Sequence, residues 1–121
     1  MKICLITSLY APLSFGGAER SVQVLAEGLC RVGNEVNIIT LGHETQIEKL
    51  GDVTVYRVRL ANIYWPFSRH RRSRAARVLW HSIDAFNPIM GRRVGRILDQ
   101  MKPDIIHTNN LAGFSTSVWL E

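Results

Sequence analysis

The stretch Pro12-Leu13-Ser14-Phe15-Gly16-Gly17-Ala18-Glu19-Arg20 lies between a short apolar run and a long amphipathic segment, and its reading decides the fold. The run before it, Ile3-Cys4-Leu5-Ile6, is continuously apolar and ends in Thr7-Ser8, the pattern of a strand buried on both faces. After it, Ala18, Val22, Leu25, Leu29 and Val32 recur at three- and four-residue steps. That spacing predicts a helix over 17–32 with one core-facing stripe, Glu19 compensating the dipole in its first turn and Gly33-Asn34 as its stop. A strand, a glycine turn and a helix aim free N–H groups and the positive helix end at an anion. Without a Cβ, Gly16 and Gly17 are expected to take positive φ and let the main chain approach a phosphate. The same pair also suits a plain helix-entry turn that Phe15 and Ala18 hold by packing. The glycines alone leave both readings open.

Working outward, Val36-Asn37-Ile38-Ile39-Thr40 is a second strand with Leu41-Gly42-His43 as its exit loop. The strand–helix–strand unit predicts an α/β fold, a Rossmann-like open parallel sheet flanked by helices. Val53 to Val58 is a third strand, expected at the sheet edge. A helix is expected from Ala75 to His81. Asn87-Pro88 caps another, which buries Met90, Val94, Ile97, Leu98 and Met101 and ends at Pro103. Asp104 to His107 is a short fourth strand followed by the polar loop Thr108-Asn109-Asn110. With the strands ordered 3-2-1-4, Gly16, Gly17 and the segment His107 to Asn110 meet in one crevice beyond the carboxyl ends of the strands. The final Thr116 to Glu121 reads as the opening of a helix without a stop signal, the mark of a truncated domain.

The chain's 121 residues fit one domain, and 46% hydrophobic residues can fill a core. Cys4 and Cys30 lack metal-ligand spacing and a disulfide framework, so both are expected as buried free thiols in a reducing compartment. No stretch has the length of a signal-peptide core or a membrane span, which predicts a cytoplasmic protein. Charge is unevenly spread: residues 1–52 carry 4 basic and 6 acidic groups, whereas residues 53–100 carry 10 arginines against Asp84 and Asp99. Arg69, Arg71, Arg72 and Arg74 cluster beside Tyr64-Trp65-Pro66-Phe67. A solvated loop is the plain reading of that cluster. Contact with an acidic acceptor, or with the inner face of an anionic membrane through exposed aromatics, is the functional one. His43, His70 and His81 are assigned no chemistry.

These motifs, taken together, resemble the N-terminal domain of family-4 retaining glycosyltransferases of the GT-B fold. The matching residues are Met1 to Thr7, Tyr10-Ala11-Pro12, Gly16 to Arg20, Val24 to Leu29, Gly33 to Thr40 and Pro103 to Asn109. The resemblance implies transfer of a sugar from a nucleotide-sugar donor to an acceptor sugar, lipid or small molecule, with this domain forming the acceptor side of a cleft. It places the donor diphosphate at Gly16 and Gly17 and a catalytic role on His107. Where the family tends to carry His-x-His, Asn109 replaces the second histidine. Asn109 and Asn110 are therefore expected to bind or position the donor sugar by hydrogen bonding, since an amide cannot exchange protons at neutral pH. The family's second domain, which supplies most of the nucleotide-binding residues, is not part of this sequence, so these 121 residues are expected to be inactive alone.

No Asp-x-Asp and no His/Cys/carboxylate cluster stands at ligand spacing, so neither a metal nor a cofactor is expected. Two further classes compete. A non-catalytic Rossmann-like nucleotide- or anion-binding module would use the same glycine turn, although a dinucleotide site would need Gly-x-Gly-x-x-Gly. A nucleic-acid-binding domain would need its arginines along a helix or stacking sheet, and here they gather in a loop, so no nucleic-acid partner is expected.

Overall fold

Parallel strands buried on both faces need helices above and below, and the chain supplies one after its first strand and two before its last. The computed structural model describes residues 1–13 and 16–120. In order they form β1 (Lys2–Ile6), α1 (Gly17–Arg31), β2 (Glu35–Gly42), β3 (Gln46–Leu50), β4 (Val53–Arg59), α2 (Arg74–Ala85), α3 (Pro88–Met101), β5 (Ile105–Thr108) and a 3-10 turn (Thr116–Leu120). The sheet order is β3-β4-β2-β1-β5. Strands β4, β2, β1 and β5 run parallel, with Ile38 opposite Leu5 and Val55, and Leu5 opposite His107. This is the expected arrangement with one strand added.

The added strand corrects one expectation: β4 is not an edge. β3 pairs antiparallel outside it, through a turn at Gly51-Asp52 in which Gly51 takes φ +60°. Nothing in Gln46-Ile47-Glu48-Lys49-Leu50 announces a strand by burial, because even Ile47 is exposed. Backbone pairing holds it, with one side-chain bond from Arg57 Nε on β4 to Glu48 Oε1.

The two faces of the sheet carry separate cores. On one, Ile3, Leu5, Val36, Ile38, Val53 and Val55 pack under Val22 and Ala26 of α1, with Tyr10 beside them. On the other, Cys4, Ile6, Ile39, Leu41 and Val58 meet Met90, Val94, Leu98 and Met101 of α3, closed by the fully buried Phe114. The predicted buried face of α3 holds except that Ile97 is half-buried, and Asn87 caps it by accepting from Met90 N–H at 3.3 Å. The stripe of α1 is rotated from its expected position. Val22 and Ala26 are buried while Ala18, Leu25 and Val32 are exposed, so the helix rests on its small residue. Gly33, at φ +93°, ends it by donating to Cys30 O at 3.0 Å.

Candidate functional site

The carboxyl ends of β1 and β5 meet the start of α1, and backbone bonds fix their relative height. Asn109 N–H donates to Ile6 O at 2.8 Å, continuing the ladder past the end of β5. Ser8 then ties three loops: its N–H and its Oγ both donate to Asn110 O, its Oγ also approaches Ala112 O at 2.7 Å, and its own carbonyl accepts from Leu41 N–H and Thr40 Oγ1. Between these loops and the helix lies a cavity of about 220 Å³ bounded by Thr7, Ala18, Ser21, Leu25, Asn109 and Asn110. Leu25, exposed on α1, is thus part of a cavity wall. Of the predicted crevice, Asn109 and Asn110 line this cavity with Ala18 at the start of α1, whereas Gly16, Gly17 and His107 do not line it. Thr7, Ser8 and Ser21 were not singled out in the sequence, although a Thr-Ser pair closing a buried strand is a signal that could have marked the first two.

The conformation of the glycine turn differs from expectation. Gly16 is extended, at φ −168° and ψ −168°, and neither Gly16 nor Gly17 has positive φ. Their use is space: an ideal Cβ on Gly17 meets nothing within 4 Å, so the first turn of α1 faces an open volume. Gly16 N–H is already occupied, donating to Glu19 Oε2 at 2.9 Å. The carboxylate of Glu19 therefore caps the helix it opens. Phe15, expected to pack the turn, lies outside the described residues.

Along β5, Ile106 and Thr108 turn toward Leu98, Val118 and Trp119. Strand alternation therefore places His107 and Asn109 on the opposite face, the one α1 covers. His107 is exposed there and lies outside the cavity wall that Asn109 shares with α1. Its exposure follows from β5 being the last strand of the sheet.

The arginine cluster forms a second surface. Ser73 caps α2 by accepting from Ala76 N–H at 3.1 Å, and the helix begins at Arg74. Arg71, Arg72, Arg74 and Arg77 border an open groove of about 720 Å³ with Tyr64 and Trp65. Arg72 lies 4.7 Å above the Tyr64 ring. Among the described residues no carboxylate pairs with Arg69, Arg71, Arg72, Arg74 or Arg77. The aromatics are not the exposed anchors expected: Tyr64, Trp65 and Phe67 are half-buried, and Trp65 and Phe67 pack on the α3-side core. Exposed apolar area sits on α2 itself, at Val78 and Leu79.

Burial pushes the Cys4 thiol up to about 12, so this cysteine is inert in the folded protein. Cys30 is free but only half-buried, and burial followed by the neighbouring Asp52 charge raises its thiol as well. Among the described residues, no group of three or more His, Cys, Asp or Glu side chains is placed to hold a metal ion, and no helix is long and apolar enough to cross a membrane.

A mostly parallel sheet between helices, with a cavity over the carboxyl ends of β1 and β5, defines a Rossmann-like domain. The chain belongs to Glycosyltransferase Family 4, whose profile matches residues 15–120. It is 39% identical over 121 residues to an uncharacterised 42.6 kDa protein in the cps region of Klebsiella pneumoniae, covering 98% of this chain and 32% of that one. It is 45% identical over 60 residues to an uncharacterised glycosyltransferase of Methanocaldococcus jannaschii, covering 49% of this chain and 15% of that one. Among solved structures it superposes on sucrose-phosphate synthase from Thermosynechococcus elongatus with a TM-score of 0.65 and 19% identity, covering 98% of this chain and 29% of the synthase. The chain thus spans about a third or less of each relative's length, and its fold is that of one part of a GT-B enzyme.

Proposed function

We propose that this chain is the acceptor-side domain of a retaining glycosyltransferase that takes a sugar from a nucleotide-sugar donor, its cleft completed by a second, donor-binding domain. The observation that carries the reading is the first turn of α1, which opens without side-chain obstruction at Gly17 beside the cavity of Asn109 and Asn110. Breaking a glycosyl–phosphate bond builds negative charge on the departing diphosphate. Fixed N–H groups at a helix start stabilise that charge without reorganising. Gly16 and Gly17 would admit the diphosphate, and Glu19 keeps the turn in place. Asn109 and Asn110 would hydrogen-bond the donor sugar, and His107, on the same sheet face, would meet the reacting sugar in the assembled cleft. No cofactor or metal enters this scheme.

The acceptor, a sugar, lipid or small molecule, would approach from the side of the arginine groove. The guanidinium groups at the start of α2, without carboxylate partners among the described residues and beside exposed Val78 and Leu79, fit contact with an anionic membrane surface on the cytoplasmic side. The test is turnover by the full-length protein: hydrolysis or transfer with uridine-, guanosine- and adenosine-diphosphate sugars, without added metal. Silence with every donor, from a folded protein, sinks the proposal.

A further inference from the structure

Arg57 of β4 is the one buried charged side chain among the described residues, with 5% of its surface exposed. Its Nε donates to Glu48 Oε1 on β3 at 2.5 Å, and Nη2 donates to the carbonyl oxygen of Ala11. The remaining nitrogen, Nη1, is buried and has no hydrogen-bond partner among the described residues. An unpaired charged donor away from water is costly, and a folded protein that keeps one has a use for it or a partner to supply. Gly42 holds the stem tightly, since a Cβ there would come within 3.0 Å of both Arg57 Cβ and Glu44 O.

Arg57 borders a cavity of about 370 Å³ together with Pro12, Leu13, His43, Glu44 and Glu48. Pro12 and Leu13 belong to the segment between β1 and α1, and no residue lines both this cavity and the Asn109 crevice. The His43 ring stacks on Trp65 with centroids 4.3 Å apart, and Trp65 in turn borders the arginine groove. The charges inside select the ligand. Glu48 pairs with the guanidinium and Glu44 also lines the cavity, so the acidic residues outnumber the one cation and an oxyanion is disfavoured. A neutral ligand bearing several hydroxyls can accept from Nη1 and donate to the carboxylates at once.

We propose that this cavity binds the neutral, hydroxyl-rich glycosyl unit of the acceptor, with Arg57 Nη1 donating to one of its oxygens and Glu44 and Glu48 accepting from others. The inference rests on the acceptor-side reading above and adds the place and the chemical class.

Saturation-transfer NMR on the full-length protein tests it, with methyl glucoside, methyl galactoside and methyl mannoside as probes and glucuronate and inorganic phosphate as anionic controls. At least one neutral glycoside should bind, and the Arg57→Met/Glu48→Gln pair should weaken it tenfold or more. Should that pair fail to fold, the exposed Glu44→Gln and Gln46→Ala changes decide, each expected to weaken binding several-fold. No bound glycoside, unchanged binding in the variants, or preference for glucuronate or phosphate overturns the inference. If glycosides fail to bind while Gly17→Val still stops turnover, the cavity assignment falls and the donor reading stands. Glycoside binding that depends on Arg57, with Gly17→Val fully active, supports the cavity and sinks the donor site.

Discussion

Ser8 donates twice to one atom, its main-chain N–H and its Oγ each reaching the carbonyl oxygen of Asn110 at 2.9 Å. The loop after β5 is thereby hung from the loop after β1, which is what sets Asn109 and Asn110 against the first turn of α1. The single hydroxyl proton is shared between Asn110 O and Ala112 O, the latter at 2.7 Å.

Ser8→Ala should therefore cost about 1 kcal/mol, since two part-buried carbonyls lose a hydroxyl donor while Asn110 O keeps the Ser8 N–H. Urea unfolding measures the loss. Amide exchange at Ala112 and Gly113 should quicken beyond the global change, and a variant as stable and as protected as the parent would show that the backbone bond alone holds the loop.

Gly17→Val in the full-length protein should lower turnover about a hundredfold or more, from losing about 2–4 kcal/mol of transition-state stabilisation. An ideal Cβ at 17 meets nothing in this chain, so the melting temperature should move little. Gly17→Ala should fall between the two. Undiminished donor turnover in a folded Gly17→Val variant would reduce the turn to a helix entry.

The start of α2 should bind anionic vesicles in a salt-sensitive way and leave neutral ones alone. Replacing Arg71 and Arg72 by Gln should lower co-sedimentation with phosphatidylglycerol vesicles more than about tenfold at low salt. Val78→Ser with Leu79→Ser should weaken binding without changing its salt slope. Equal association with neutral and anionic vesicles, or none, would remove the membrane from the proposal.

Cys4 should react with a disulfide reagent only as fast as the chain unfolds. With its thiol near 12, roughly one molecule in ten thousand carries the thiolate at pH 8. Cys30, half-buried at the end of α1, should label first. Rapid labelling of both in native buffer would contradict the burial of β1.

Much of the fold was legible because its signals are local. The continuous apolar run of β1, the three-and-four spacing of α3 and the Asn87-Pro88 cap each carry their own physics, and the strand–helix–strand unit β1–α1–β2 sets the first parallel pair. β3 was not legible, since its residues bury almost nothing and its pairing rests on main-chain groups common to every sequence and on one bond from Arg57 to Glu48. The face of α1 was predicted one step out of place because Ala26 counts for little in an apolar tally, yet only a small side chain lets that helix lie close to β2.

The glycine turn and the loop after the last strand were visible as candidates from residue types alone. The approach of that loop to the start of α1 was decided by strand order and by Ser8, whose partner lies about a hundred residues away in sequence, and Gly16 N–H is taken by the carboxylate of Glu19. Arg57 shows the division most clearly. As one arginine among ten in its half of the chain it carried no signal, and only folding placed its guanidinium between Glu48 and Ala11 with one nitrogen unpaired. Composition and periodicity determine which segments form strands and helices, because those depend on neighbours within a few residues. Which polar groups end up buried, and what they still lack, depends on contacts between distant segments, and these only the tertiary structure decides.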